Sequence, residues 1–171
     1  MDELIDRIER AFADVAYPGD GELTDSTYGD EPAALVEVFR GKDDWRALES
    51  AFLDQAPGGW ASALSFFSPG ALRFYLPAYL IADLRGELMT SDPSVRLCSS
   101  VTPLGASEKI AEIWGGGTMG ERAREAFALF DAAQVEVIVA YLWWKLEALG
   151  GRDPTIEQAL ESYWLERKAG G

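Results

Sequence analysis

The chain has 171 residues, with 29 acidic against 15 basic side chains and a net charge of −14. The excess of acidic side chains argues against a nucleic-acid ligand, because binding to phosphates requires clustered Lys and Arg. Hydrophobic residues make up 48% of the chain, which excludes a disordered protein. The length is typical of one domain with a sizeable core.

Two residue types that carry much of enzyme chemistry are scarce. The sequence contains no histidine, and Cys98 is its single cysteine. These counts exclude Ser-His-Asp and Cys-His triads, disulfide frameworks and nearly all zinc sites. We therefore predict no cofactor, and a non-enzymatic role is favoured over an enzymatic one.

The sequence has no feature of an exported or membrane-spanning protein. The first ten residues carry charges from Asp2 onward, unlike a secretory signal. The longest apolar run, which ends at Leu84, is interrupted by Pro69, Arg73 and Pro77, so it is typical of a core helix. We expect a cytoplasmic protein that does not associate with a membrane.

Apolar residues recur at helical spacing along most of the chain, and no stretch alternates with a period of two. An amphipathic helix is predicted over 1–15, followed by a loop over 16–31, and the first 31 residues hold ten acids and two arginines. The further predicted helices are 32–41, 44–55, 60–67, 68–86, 93–97, 107–114, 118–130, 132–149 and 155–168. Turns are predicted at 57–59, 102–105 and 115–117. The predicted fold is all-α, one compact multi-helix domain over residues 1–171.

The segment 68–86 is predicted to lie at the centre of this domain. Ser68 and Pro69 form a helix start, and the only charges from Ala71 to Leu84 are those of Arg73 and Asp83. A helix that is apolar nearly all round must be surrounded by protein. Pro77 lacks an N–H group, so a kink is expected there.

Three later helices are predicted to start at capping boxes. The pairs are Thr118 with Glu121, Asp131 with Gln134, and Thr155 with Gln158. After Asp131 the apolar side chains form one helical stripe: Val135, Ile138, Val139, Leu142 and Leu146.

Several of these segments resemble a family of uncharacterised bacterial proteins, a domain of unknown function. The resemblance lies in the loop Tyr17–Asp20, in Phe39–Lys42 followed by Trp45, in Leu64–Pro69, and in Arg73–Leu80. The segment from Asp131 to Leu142, with Gln134 and Ile138, is also similar. The resemblance extends to about Leu149 and implies an all-helical cytoplasmic protein. It implies no activity, cofactor or catalytic residue.

The acidic loop is a candidate calcium site. Oxygen-bearing side chains occupy positions one, three, five, seven and twelve of the span 20–31, as in an EF-hand: Asp20, Glu22, Thr24, Ser26 and Glu31. However, Asp25 stands where an EF-hand has glycine, and Pro32 follows the last ligand directly. A solvated acidic loop is the alternative.

A second candidate site lies on the predicted central helix. Arg73 with Tyr75, Tyr79 and Asp83 could bind an anionic ligand, and carboxylates of the Asp20 loop could complete such a pocket. Alternatively, Arg73 pairs with Asp20 or Asp83, and the tyrosines fill the core.

Neighbouring carboxylates and glycines give weaker signals. The pairs Asp43–Asp44 and Asp30–Glu31 point apart on a helix, so they suit helix caps and first turns better than acid–base chemistry. Gly115–Gly117 precede a helix and could present N–H groups to a phosphate, but a flexible connector is favoured.

Trp143 and Trp144, next to Tyr141, place aromatic rings on more than one face of their helix. Exposed aromatic side chains are typical anchors of protein interfaces, and such a helix could also mediate a homo-oligomer. A helix enclosed on two sides within the domain would show the same pattern.

Together these observations favour an acidic, cytoplasmic, all-α module that binds a partner protein stoichiometrically. An immunity-type inhibitor of a basic protein is one concrete form of this hypothesis. The alternative is an enzyme or small-molecule binder that uses Arg73, Tyr75, Tyr79 and the loop carboxylates. A mimic of nucleic acid is a third hypothesis, disfavoured by the scatter of basic residues along the chain.

Overall fold

A computed structural model describes residues 1–26, 29–55, 62–112 and 116–170, apart from the side chain of Ser62. Eleven α-helices are described in these ranges, and their bounds follow in chain order. They are α1 Asp2–Ala11, α2 Asp30–Phe39, α3 Ser50–Gln55, α4 Ser62–Phe66, α5 Pro69–Leu84, α6 Pro93–Cys98, α7 Pro103–Ala106, α8 Met119–Phe127, α9 Ala132–Ala148, α10 Pro154–Ala159 and α11 Leu165–Ala169.

Short helical turns complete the described architecture. There are 3-10 turns at Asp20–Glu22, Trp45–Ala47 and Ser99–Val101, and a π-helical segment at Leu160–Trp164 joins α10 to α11. The described ranges contain no β-strand, and Lys109 and Thr118 form an isolated antiparallel bridge. The all-α class predicted from the sequence is confirmed.

The chain divides into two compact units. The first comprises Met1 and residues 12–93, and the second comprises residues 2–11 and 94–171. The single domain predicted over residues 1–171 stays a prediction.

The first unit is built around α5. Ser68 caps this helix, since its hydroxyl oxygen accepts a hydrogen bond from the Ala71 N–H at 3.1 Å, and Pro69 opens it as predicted. Most of the helix is buried, while Arg73 and Asp83 are half-buried. The helix continues through Pro77 to Leu84.

The second unit contains α9, against which α1 packs. Both predicted capping boxes that begin α8 and α9 are present, at Thr118 with Glu121 and at Asp131 with Gln134. The predicted stripe of α9 is buried throughout. Gln134 also donates from its amide nitrogen to the carbonyl of Ala11 at 3.1 Å, which joins the start of α9 to the end of α1.

Several predicted element bounds are wrong. The first helix ends at Ala11 instead of residue 15, and α2 already begins at Asp30, so the acidic loop is shorter than 16–31. The predicted helix 44–55 is interrupted because Leu48 is extended, with ψ of 124°. The last helix begins at Pro154 instead of Thr155, because the Asp153 carboxylate accepts from two backbone N–H groups and is the N-cap.

Two predictions between α6 and α8 are also wrong. The predicted loop at 102–105 contains the helix α7, capped by the Thr102 hydroxyl. Residues 107–111, predicted to be helical, form no helix. The Ile110 N–H donates to the carbonyl of Gly117, and the N–H of Met119, the first residue of α8, donates to the Glu108 carbonyl. The predicted turn at 57–59, the helix start at Trp60, and the positions Trp114 and Gly115 lie outside the described residues.

Within the described ranges, no helix is both long and apolar enough to cross a membrane.

Candidate functional site

The loop after α1 and the turn after α2 meet at the carboxylate of Asp20. Its Oδ1 atom accepts hydrogen bonds from the Tyr17 hydroxyl at 2.5 Å and from the Gly41 N–H at 2.7 Å. The bond from Tyr17, and then that from Gly41, lowers the pKa of Asp20 below its usual value. Asp20 is therefore ionised at neutral pH and holds the loop against the turn.

Tyr75 reaches the same turn from α5. Its hydroxyl donates to the carbonyl of Lys42 at 2.7 Å, and its ring stacks on Phe67 with the centroids 5.0 Å apart. Tyr17 packs edge-on against Phe74 at 5.4 Å. We call Tyr17, Asp20, Tyr75 and the turn Gly41–Lys42 the Asp20 network.

Both tyrosines of the Asp20 network are neutral at physiological pH. Burial raises the pKa of Tyr17 to about 12, and the hydrogen bond to Asp20 acts in the same direction. Burial also raises the pKa of Tyr75, helped by the neighbouring Tyr17. Neither phenol can serve as a general base near pH 7 with such a pKa. The arrangement therefore suits a structural role, in which it joins the loop after α1, the turn Gly41–Lys42 and α5.

Tyr79, one helical turn after Tyr75, shares no hydrogen bond with the Asp20 network. Its side chain is fully buried, and its hydroxyl has no hydrogen-bond partner among the described residues. Burial, and then the charge of Asp54, raises the pKa of Tyr79. The predicted set of Arg73, Tyr75 and Tyr79 is thus divided: Tyr75 and Asp20 meet at one turn, and the Tyr79 hydroxyl lies apart.

The predicted calcium ligands lie in a 3-10 turn, in the loop after it and in the first turn of α2. Asp20 lies in a 3-10 turn with Glu22, whose carbonyl accepts from the Ser68 hydroxyl at 2.6 Å, and Glu31 lies in the first turn of α2. The Thr24 hydroxyl oxygen accepts from the Ser26 N–H at 3.2 Å. In the part of the chain that the structure describes, no three Cys, Asp or Glu side chains form a group that could hold a metal ion. The calcium hypothesis gains no support.

The neighbouring carboxylates lie at helix starts. Asp44 caps the turn Trp45–Ala47 by accepting from the Arg46 N–H at 2.9 Å. Asp30 and Glu31 occupy the first turn of α2, where negative charge is favourable.

Sequence reasoning missed Asp54, whose side chain is 8% exposed at the end of α3. Its carboxylate accepts from three consecutive backbone N–H groups, those of Met89 at 3.1 Å, Thr90 at 2.8 Å and Ser91 at 2.8 Å. Burial raises the pKa of Asp54, but the three backbone donors outweigh it, so the pKa is lowered overall. Its partners lie more than thirty positions away, so no local signal marks this carboxylate.

Trp143 lies on the outer face of α9 and is more exposed than its aromatic neighbours Tyr141 and Trp144. Trp143 is 49% exposed, whereas Trp144 is half-buried with its ring 5.9 Å from that of Tyr141. Glu136, Ala140, Trp143 and Glu147 follow one another at helical spacing on this face, and we call them the Trp143 surface.

The Trp143 surface lies beside α1. Glu136 forms an ion pair with Arg7 of that helix at 2.9 Å, which offsets one of the two negative charges. Glu147 is exposed one turn after the indole. The surface therefore combines a large apolar ring with acidic side chains on both sides of it along the helix.

The fold and these sites describe an acidic all-helical protein with an internal tyrosine–aspartate lock and an exposed tryptophan. The model of a family of unknown function, DUF6714, matches residues 1–168, and the chain belongs to this family. The resemblance to a domain of unknown function is thereby confirmed. No curated protein sequence and no solved structure matches the chain.

Proposed function

We propose that this protein is a cytoplasmic module that binds a basic partner protein stoichiometrically, in the manner of an immunity-type inhibitor. The observation that carries the proposal is the 49% exposed Trp143 on the outer face of α9. Tryptophan is the residue most enriched among the side chains that dominate binding energy at protein interfaces.

Charge supports a basic partner. The chain carries a net charge of −14, and Glu136 and Glu147 lie on the same helical face as the indole. Electrostatic complementarity accelerates association and suppresses wrong partners, while a central aromatic ring supplies the apolar burial. Glu136 is already paired with Arg7, so Glu147 is the carboxylate beside the ring that would meet a basic surface with an apolar pocket.

The Asp20 network argues against the alternative of an enzyme or small-molecule binder built on Arg73, Tyr75 and Tyr79. The Tyr75 hydroxyl and the Asp20 carboxylate are satisfied by Lys42 and Gly41 of the same chain. Groups already paired within the protein leave less bonding capacity for a substrate.

The test is an affinity capture from lysate of the source organism, with wild-type protein and two variants on separate columns. Trp143→Ala removes the proposed anchor, and Leu129→Ala is the matched control, since Leu129 is 45% exposed but outside the Trp143 surface. We expect wild type and Leu129→Ala to retain one basic protein that elutes at raised salt. Retention by Trp143→Ala should fall about tenfold or more.

Circular dichroism melts of all three proteins establish that the variants are folded. Equal retention by Trp143→Ala and wild type, or empty columns at low salt, would contradict the proposal. Light scattering gives the oligomeric state of wild type and Trp143→Ala. If wild type is a dimer and the variant a monomer, the Trp143 surface binds a second copy of this chain instead of a partner protein.

A further inference from the structure

Two arginines lie near one tyrosine of the second unit, although the chain as a whole is acidic. Tyr163 lies in the π-helical segment, and the guanidinium carbon of Arg124 is 6.0 Å from the centre of its ring. Arg167 follows Tyr163 by four positions and therefore lies on the same helical face. The charges of Arg167 and Arg124 both lower the pKa of Tyr163, although its burial raises that pKa more.

Neither arginine has a carboxylate partner within the described ranges. No ion pair of Arg124 or Arg167 is present there, although acidic residues outnumber basic ones almost two to one along the chain. Arg167 donates from Nη2 to the carbonyls of Phe130 at 2.7 Å and Ala128 at 3.2 Å. Its Nε atom is buried without a partner in that part of the chain.

A purely structural role explains only part of this arrangement. Arg167 stabilises the carbonyls that follow α8, as a cation at a helix C-terminus does. That role accounts neither for the exposed Arg124 nor for the half-buried Tyr163, whose hydroxyl hydrogen-bonds to no described residue. The π-helical segment that presents Tyr163 is a rare conformation that occurs frequently at functional sites.

We propose that Arg124, Tyr163 and Arg167 bind a small oxyanion of the phosphate type. The Arg124 guanidinium, the Nη1 atom of Arg167 and the Tyr163 hydroxyl are the donors for phosphate oxygens, and charge-assisted hydrogen bonds from arginine are among the strongest in proteins. The ligand is either free phosphate or a phosphate monoester, since both present the same terminal oxygens. This site shares no residue with the Trp143 surface, so it stands independently of the proposed partner protein.

The test is an NMR and calorimetric titration of the full chain with inorganic phosphate, against chloride at matched ionic strength. Arg124→Gln removes one charge from the site. Arg122→Gln is the control, because Arg122 lies on the same helix two positions earlier and faces a different direction. Tyr163→Phe removes the hydroxyl alone.

We expect saturable phosphate binding by wild type and Arg122→Gln, with the signals of Tyr163 and Arg167 shifting. The dissociation constant should rise about tenfold in Arg124→Gln and about threefold in Tyr163→Phe. Tighter binding of phenyl phosphate than of inorganic phosphate would assign the site to a phosphate monoester, and the reverse order would assign it to free phosphate.

Equal effects of Arg122→Gln and Arg124→Gln would overturn the proposal, since they would reflect net charge instead of a site. Linear, non-saturating shifts in wild type would overturn it as well. If Arg124→Gln fails to fold, Tyr163→Phe still decides: unchanged affinity in that variant, with no shift at Arg167, refutes the site.

Discussion

Removing the hydroxyl of Tyr79 should stabilise the protein, which is the opposite of the usual effect of truncating a buried tyrosine. Tyr79 and Tyr75 lie one turn apart on α5, and both side chains are fully buried. The Tyr75 hydroxyl donates to the Lys42 carbonyl at 2.7 Å, whereas that of Tyr79 has no partner among the described residues. The two positions therefore form a matched pair that differs in hydrogen bonding.

The expected magnitudes follow from that difference. A buried hydroxyl without a partner has lost its hydrogen bonds to water and gained none, so Tyr79→Phe should raise the free energy of unfolding by about 1 kcal/mol. Tyr75→Phe removes a satisfied hydrogen bond and leaves the Lys42 carbonyl without that donor. It should lower the free energy of unfolding by about 1 kcal/mol.

Urea denaturation followed by circular dichroism measures both changes. With an m value of roughly 2 kcal/mol per molar, the midpoint should move by about 0.5 M upward in Tyr79→Phe and downward in Tyr75→Phe. The reasoning is refuted if Tyr79→Phe lowers the free energy of unfolding as much as Tyr75→Phe does, because the Tyr79 hydroxyl would then have a partner that stabilises the fold.

Two further predictions concern the described contacts. Asp54→Asn should lower the free energy of unfolding by about 2 kcal/mol at neutral pH, since three backbone N–H groups lose a charged acceptor. The pKa of Asp54 is lowered in the folded state, so its stabilisation is present above the ordinary value of 3.8 and is lost as the pH falls through the folded pKa. The difference between wild type and variant in urea midpoints should therefore shrink in acid, and a difference independent of pH would contradict this. Gly120→Ala should lower the free energy of unfolding by about 1–3 kcal/mol, because the added Cβ would lie 2.7 Å from the Cβ of Ala106. Gly21→Ala is the control, since its added Cβ would meet no atom within 4 Å. Equal melting temperatures of these two glycine variants would show that α7 and α8 can separate freely.

The signals that predicted structure correctly are local ones. The start of α5 at Ser68 and Pro69, and the capping boxes of α8 and α9, depend on side chains that bond to backbone groups within three positions. The burial of α5 was likewise predictable, since a long run with two charged side chains cannot face water.

The same kind of signal failed where two local patterns competed. Thr155 and Gln158 match a capping box, but Asp153 followed by Pro154 is the N-cap in the structure. The segment 102–105 is predicted to be a loop, whereas α7 begins at Pro103 and contains Gly105, although glycine disfavours helices. That glycine is required there, since a Cβ would lie 1.8 Å from the Ser99 carbonyl oxygen.

The sequence identified which residue types could form a site, but it did not identify which of these residues lie together. The sequence indicated Asp20, Tyr75 and Tyr79 as one set, whereas the structure joins Asp20 to Tyr75 through the turn Gly41–Lys42 and leaves the Tyr79 hydroxyl apart. Asp54 was missed because its donors come from a loop beyond α5.

By itself the sequence determined the helical class, the buried central helix and the starts of α5, α8 and α9, because periodicity and capping act over three or four residues. The tertiary structure alone decided which polar groups are satisfied, and that Arg124 and Arg167 form no ion pair within the described ranges. It also decided that Trp143, instead of Trp144, faces outward. These properties depend on atoms brought together from distant parts of the chain, and hydrogen bonding and burial are set by that proximity.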